Sequence, residues 1–325
     1  MKSLAQDIKN KTIGRLYLLT GPEAYLRHRY LKALCDAVIP EDDTMNRSLY
    51  EGRDIREGEI IDQAETMPFF ADRRLIVVRH SGFFKSGAES LSDYCSLIPD
   101  YLVLVFEEEE VDKRSRLYKA IKKEGRIAEF PVQDAGRLMT WIAGRVGKDG
   151  KRITARDASL ILDRVGSDMG RLDRELDKLT AYVGERAEIT ADDIRAVTVP
   201  EIENRIFDMI TAVTEGRKDK ALSLYADLLA LKEAPMRILI LIEKQFRQMM
   251  LIKAMRKDGA AESEMAASLQ LPPFVVRKML ACVRRMDDGT LRQKAALCLQ
   301  MEEDVKNGRI TDRLSVDLLL IALAR

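Results

Sequence analysis

The chain has 325 residues, of which 46% are hydrophobic and 33% charged, and its formal net charge is only +1. This length allows two or three domains with sizeable cores, so the composition argues against global disorder. The balanced charge also argues against a dedicated DNA-binding protein, because such proteins usually carry a strong basic excess.

The N-terminus and the cysteines indicate the cellular setting. The opening residues MKSLAQDIKNKT contain no apolar core of signal-peptide length, and no segment approaches the roughly 18 uncharged apolar residues of a membrane span. The 4 cysteines are scattered and none forms a CxxC pair. This spacing argues against a disulfide framework or a structural zinc site. We therefore expect a cytoplasmic protein with reduced, mostly buried thiols and no membrane partner.

Strand and helix signals alternate in the first part of the chain. The apolar run Leu16–Leu19 predicts a first strand, and Pro22 and Glu23 suit the first turn of a helix that runs to about Val38. Further strands are predicted at Leu75–Val78, Tyr101–Phe106 and Arg126–Phe130. Strands separated by segments of helix length predict a parallel sheet with crossover helices.

Beyond Pro131 the strand signal disappears, and apolar residues recur at helical spacing from Arg137 onward. Thr190, followed by Asp192 and Asp193, predicts a helix N-cap with acids in the first turn. The predicted fold class is α/β plus all-α. We expect an α/β domain at residues 1–136, a small helical domain at 137–200 and a larger helical domain at 201–325.

The turn after the first strand lacks the residues that hold nucleotide phosphates. A phosphate-binding loop needs glycines whose N–H groups surround the phosphates, a lysine, and a Ser/Thr hydroxyl for Mg²⁺. The segment Thr20–Leu26 has one glycine and no Gly-Lys-Ser/Thr, and Pro22 removes a backbone donor. We therefore expect no ATP site and no cofactor.

Other candidate catalytic groups give no coherent site. Glu107–Glu110 follow the strongest predicted strand, where a nucleotide hydrolase positions Mg²⁺ and water. Without a phosphate loop, we interpret this run as a solvated acidic turn. His28 and His80 have no ligand-type spacing to a second histidine or a cysteine, so neither a catalytic triad nor a metal site is predicted.

The segment Met67–Arg74 contains two adjacent phenylalanines, Phe69 and Phe70, directly after a proline. Adjacent side chains in a helix or strand do not readily face the same core. The two rings are therefore either divided between core and surface, or displayed together to enter a hydrophobic pocket on a partner. Spacing alone leaves both interpretations open.

Six segments, in order along nearly the whole chain, resemble the delta subunit of the bacterial DNA polymerase III clamp loader. They are Leu16–Leu26, Met67–Leu75, Val111–Lys119, Gly166–Leu179, Ile206–Asp208 and Gln245–Gln248. The resemblance implies an AAA+-like fold without an ATP site in the first two domains. It also implies a C-terminal helical collar that assembles with loader subunits of the gamma/tau and delta-prime type.

The same resemblance implies that the chain binds the sliding clamp (the beta subunit) and opens this ring for loading onto primed DNA. In the family, two adjacent apolar residues enter a pocket on the clamp, and they correspond to Phe69 and Phe70, with Met67 in support. The family often has a leucine before the phenylalanine, whereas this chain has a second phenylalanine. The expected role is that of a subunit of the DNA polymerase III holoenzyme without its own activity.

Two alternatives belong to other classes of protein. An AAA+-type ATPase with a degenerate loop requires measurable ATP binding by the isolated chain. A helical scaffold without a clamp role predicts partner binding that survives loss of Phe69 and Phe70 and depends on residues after Glu201. The basic pairs Arg73-Arg74, Lys122-Lys123 and Arg284-Arg285 are isolated, and we interpret them as solvated surface.

Overall fold

The computed structural model describes residues 2–85, 88–199, 202–271 and 273–323. The chain divides into two compact units, residues 1–132 and 133–325. The first unit combines a parallel sheet with helices and the second is almost entirely helical, which confirms the predicted fold class. The division into three domains stays a prediction.

The first unit contains a five-stranded parallel sheet in the order β2-β3-β4-β1-β5. Its strands are β1 (Leu16–Thr20), β2 (Arg47–Glu51), β3 (Arg74–Arg79), β4 (Leu102–Glu108) and β5 (Arg126–Glu129). Its helices are α1 (Lys2–Asn10), α2 (Ala24–Val38), α3 (Glu57–Glu65), α4 (Glu89–Tyr94) and α5 (Arg116–Glu124). All four predicted strands are present, whereas α1 and β2 were not predicted.

The start of α2 differs slightly from the prediction. Glu23 has φ −79° and ψ 84°, which is not a helical conformation, so it is the N-cap residue and Pro22 precedes the helix. The predicted end of the helix at Val38 is confirmed.

Helices cover both faces of this sheet. Alternate strand residues such as Leu18, Ile76 and Phe106 share one core with apolar residues of α3, α4 and α5. Helix α2 packs on β1 and β4, and α1 packs on α2. Because both faces are covered, every residue of β4 is buried, as expected for a central parallel strand.

The second unit begins with α6 (Ala135–Lys148), α7 (Ala155–Val165), α8 (Met169–Val183) and α9 (Ala191–Val197). Among them, β6 (Arg152–Ile153) and β7 (Glu188–Ile189) pair in parallel. The expectation that no strand follows Pro131 is therefore wrong, because strands of two residues are too short to show a sequence pattern. The remaining helices are α10 (Ile202–Thr214), α11 (Lys218–Ala230), α12 (Pro235–Lys257), α13 (Glu262–Leu269), α14 (Pro273–Val283), α15 (Asp288–Lys306) and α16 (Asp312–Leu323).

Side-chain caps define the starts of α6 to α9. Asp134, Thr154 and Asp168 each accept a hydrogen bond from the backbone N–H three residues later. The predicted cap at Thr190 is confirmed, and with Asp193 it forms a reciprocal capping box. Each such cap stabilises the fold by about 1 kcal/mol. None of the described helices has the length and hydrophobicity that a membrane-spanning segment requires.

Candidate functional sites at two edges of the sheet

The parallel sheet separates the two regions that the sequence singles out. All carboxyl ends of its strands lie at one edge, so the turn after β1 and the acidic end of β4 are neighbours there. The Met67–Arg73 loop connects α3 to the amino end of β3. The degenerate turn and the phenylalanine pair therefore lie at opposite edges of the sheet.

At the carboxyl edge, the turn after β1 has no free N–H groups at Gly21 and Glu23. The amide of Gly21 donates to the carbonyl of Glu109 at 3.1 Å, and the amide of Glu23 donates to the carbonyl of Phe130 at 3.0 Å. Gly21 has φ +125°, and a Cβ at this position would collide with the backbone of Phe130. These two backbone donors of the turn are thus used within the protein and are not available to a phosphate.

The charge around this turn is equally unsuited to phosphate. The pocket beside Gly21 and Pro22 is lined by three acidic residues, Glu109, Glu110 and Glu129. Lys113 also lines it, but its ammonium donates to Glu129 at 2.6 Å. Carboxylates at this position repel a phosphate group.

We expect the isolated chain to show no ATP binding, with a Kd weaker than about 1 mM, which corresponds to less than about 4 kcal/mol of binding free energy. The physical reason is the loss of backbone donors at Gly21 and Glu23 together with the surrounding carboxylates. Isothermal titration with MgATP, with an active phosphate-loop ATPase as positive control, measures this. Saturable binding in the micromolar range would contradict it.

The first two residues of the acidic run are buried, so the interpretation of Glu107–Glu110 as a solvated turn is wrong for them. Glu107 is fully buried at the end of β4, and Glu108 is 6% exposed. One oxygen of Glu108 accepts from both the backbone N–H and the hydroxyl of Ser81, at 2.8 and 2.6 Å. Glu109 and Glu110 are exposed, as predicted.

Glu107 is contacted by two arginines and a histidine from three directions. Its Oε1 accepts from Nε of Arg27 at 3.0 Å and lies 2.9 Å from Nδ1 of His28, while its Oε2 accepts from Nε of Arg79. The Arg27 side chain is only 4% exposed. Both carboxylate oxygens are therefore engaged by guanidinium groups. Among the described residues, no three His, Cys, Asp or Glu side chains come together as a metal site.

The net effect of these neighbours on Glu107 is to lower its pKa. Burial alone would raise the pKa, but the hydrogen bond and the charge of Arg79, followed by His28, outweigh it. Glu107 is thus ionised at neutral pH and forms a structural ion pair inside the unit.

The lowered pKa of Glu107 predicts a specific loss of stability in acid. A carboxylate whose pKa is lower in the folded than in the unfolded state stabilises the fold at pH values above its unfolded-state pKa, about 4.3. This contribution is lost as the pH falls through the folded-state pKa. We expect the free energy of unfolding to fall below about pH 4.3, and to fall less steeply in Glu107→Gln. Urea unfolding over a pH series measures both slopes, and equal slopes would contradict the assignment.

At the amino edge, the Met67–Arg73 loop displays its apolar side chains. Phe70 is 95% exposed, Phe69 56% and Met67 73%. The two rings contact each other edge to face, with centroids 4.5 Å apart and planes at 80°. Of the two interpretations left open by the spacing, the structure therefore shows the displayed pair.

The arginines that follow the pair hold the loop rather than forming a solvated basic surface. Arg74 is 3% exposed, and its Nη2 donates to the carbonyl of Met67 at 3.2 Å. Nη1 of Arg73 donates to the carbonyl of Ile13 at 3.2 Å. The interpretation of Arg73-Arg74 as solvated surface is thus wrong for Arg74.

Comparison with known proteins gives two family matches that together cover more than two thirds of the chain. Residues 17–130 match the family described as DNA polymerase III, delta subunit, and residues 203–323 match its C-terminal domain. The chain belongs to the DNA polymerase III delta subunit family. The aromatic pair of this delta subunit lies within the first match.

Individual relatives agree with this assignment. The chain is 25% identical over 332 residues to DNA polymerase III subunit delta of Bacillus subtilis (strain 168), covering 98% of this chain and 96% of that one. It matches the solved structure of the Bacillus subtilis DNA clamp loader delta protein with a TM-score of 0.82 and 25% identity, covering 99% of both chains. The Thermotoga maritima RuvB Holliday junction branch migration motor matches at a TM-score of only 0.38 and 12% identity, covering 85% of this chain and 81% of that one. This score is too low to support an argument about function.

Proposed function

We propose that this delta subunit binds the sliding clamp through Phe69 and Phe70, with Met67 in support, and holds the ring open for loading onto primed DNA in the cytoplasm. The observation that carries this proposal is the exposure of two adjacent aromatic side chains, 56% and 95%, at the edge of a covered sheet. Aromatic side chains that leave water for a pocket are typical of the residues that dominate binding energy. Each buried phenylalanine contributes about 1.5–3 kcal/mol.

Opening the ring requires more than tight binding. A partner shifts a ring from closed to open only by binding the open state more tightly than the closed state. The Met67–Arg73 loop passes directly into β3, a buried strand of the sheet. This short connection would let the sheet hold the aromatic pair in one place. If the clamp surface fits both the pair and its surroundings only in the open ring, the subunit binds the open state more tightly and shifts the ring toward it.

The proposed role includes no hydrolysis of nucleotide by this chain. The engaged N–H groups of Gly21 and Glu23 and the ion-paired Glu107 support this part of the proposal. ATP-driven changes would then take place in neighbouring subunits of the gamma/tau and delta-prime type. The C-terminal helices, matched over residues 203–323, are the proposed region of contact with them.

Ring opening can be tested with the clamp from the same organism carrying a fluorescence donor and acceptor on either side of one ring interface. Addition of the delta subunit is expected to lower energy transfer in proportion to the clamp bound. Binding without any change in transfer would contradict the opening role while leaving the binding role intact.

The partners can be tested by purifying the delta subunit from its native source and identifying bound proteins by mass spectrometry. The clamp and the ATPase subunits of the loader are expected. Their absence would favour the alternative of a scaffold with other partners.

A further inference from the structure

The aromatic pair is attached to a residue that no sequence motif indicates. Asn46 lies directly before β2, is 2% exposed, and is 23 residues away from Phe69. Its Oδ1 accepts from the backbone N–H of Phe69 at 2.6 Å, and its Nδ2 donates to the carbonyl of Phe69 at 3.0 Å. One side-chain amide thus satisfies both backbone groups of Phe69.

Asn46 is itself held in one orientation. Its Nδ2 also donates to Oδ2 of Asp43 at 2.8 Å, while Oδ1 of Asp43 accepts from the backbone N–H of Asn46 at 3.0 Å. The carbonyl of Asn46 accepts from the amide of Leu75 in β3 at 2.8 Å. Because Nδ2 faces two acceptors and Oδ1 faces a donor, the network admits only one orientation of the amide group. The loop is therefore connected to both β2 and β3.

The conformation of the loop needs such support. Phe70 has φ +51°, in the left-handed region that residues other than glycine rarely adopt. Such conformations persist only where surrounding contacts hold them, and they occur often at binding sites. The hydrogen bonds from Asn46 to Phe69 hold the residue next to Phe70, and Arg74 holds the carbonyl of Met67.

We propose that Asn46, oriented by Asp43, is a positioning residue that orders Phe69 and Phe70 before they meet the clamp. This inference rests on the proposed clamp-binding function. Without these hydrogen bonds, the loop would sample many conformations, and binding would have to order it first. Asn46→Ala is therefore expected to weaken clamp binding about tenfold, which corresponds to about 1.4 kcal/mol.

Two measurements on the full chain separate positioning from a general loss of stability. Amide hydrogen exchange of Asn46→Ala, without clamp, is expected to show faster exchange at Phe69, whose N–H loses its acceptor, but wild-type exchange along β3. Asn10→Ala replaces an exposed asparagine in the same unit and is expected to change neither exchange nor clamp binding. Faster exchange throughout β2 and β3 would overturn the positioning role.

Asp43→Ala gives a second, milder variant, because it leaves both hydrogen bonds between Asn46 and Phe69 in place. It removes the support of Asn46 and one hydrogen bond from the backbone N–H of Met45. It is expected to weaken clamp binding severalfold and to increase exchange at the amide of Phe69. Unchanged binding by both this variant and Asn46→Ala would overturn the inference.

Combined variants distinguish failure of this inference from failure of the proposed function. In a chain carrying Phe69→Ala and Phe70→Ala, Asn46→Ala is expected to cause no further loss of clamp binding. A further loss would show that Asn46 affects clamp binding independently of the aromatic pair, which overturns the positioning role. Normal clamp binding by the double phenylalanine variant overturns the proposed function, whereas unchanged exchange at Phe69 in Asn46→Ala overturns the positioning role alone.

Discussion

Replacing Phe69 and Phe70 together by alanine is expected to weaken clamp binding at least about a hundredfold, or about 2.7 kcal/mol. Hot-spot aromatic residues each contribute about 2 kcal/mol or more, although such contributions are not additive. The free energy of unfolding should stay close to that of wild type, because Phe69 and Phe70 are 56% and 95% exposed and do not belong to the core. Substitutions at such surface positions usually change stability by less than about 0.5 kcal/mol.

Surface plasmon resonance with immobilised clamp measures the affinity, and thermal unfolding of the same samples measures the stability. Leu97→Ala is a matched control, since Leu97 is an exposed apolar residue of the same unit, at 70% exposure, outside the Met67–Arg73 loop. It is expected to bind the clamp like wild type. If the double phenylalanine variant also binds like wild type, the clamp-binding role of the pair is wrong and the scaffold alternative gains support.

Replacing Glu107 by glutamine is expected to destabilise the first unit by about 3 kcal/mol, the range found when one partner of a buried ion pair is removed. Glutamine keeps the size of the side chain and an oxygen that can accept a hydrogen bond. It removes the negative charge that compensates Arg27 and Arg79, whose side chains are 4% and 16% exposed. Because a domain is stabilised by only about 5–15 kcal/mol in total, this loss is large.

Urea unfolding measures the destabilisation by Glu107→Gln. Glu110, in the same acidic run, provides a control. Glu110 is 78% exposed, and Lys85 lies no closer than 3.9 Å. Exposed pairs of this kind contribute about 0–1 kcal/mol, so Glu110→Gln should remain close to wild type. In an active ATPase, the acid after this strand serves hydrolysis, and its amide variant would lose activity while keeping stability. That outcome for Glu107→Gln would favour the ATPase alternative over a structural ion pair.

The aromatic pair and Glu107 lie at opposite edges of one sheet. At the carboxyl edge, where an ATPase binds nucleotide, the N–H groups of Gly21 and Glu23 and the carboxylate of Glu107 are engaged by the protein itself. At the amino edge, two aromatic side chains are exposed and their backbone is held in place. The two edges therefore differ in what they leave available to another molecule: exposed aromatic side chains at the amino edge, and an acid paired with arginines at the carboxyl edge.

The sequence by itself determined those features that depend on local residue type and spacing. Apolar runs predicted β1, β3 and β4, because buried parallel strands need continuous apolar residues. The side-chain chemistry of Thr190 predicted an N-cap that the structure contains. The absence of a Gly-Lys-Ser/Thr motif after β1 already argued against a phosphate site. By contrast, β2 was not predicted, because this edge strand has no buried residue and therefore no apolar run.

Only the tertiary structure decided which residues are buried and which become neighbours. Spacing left Phe69 and Phe70 open between core and surface, and their exposure follows from the position of the loop at a sheet edge. Glu107 looked like part of a solvated turn, but β4 lies beside β3 and under α2, which places it against Arg79 and Arg27. Asn46 carries no local signal, since its role arises only because β2 pairs with β3. Local patterns specify strands and caps, whereas burial and charge pairing depend on which strands the fold brings side by side.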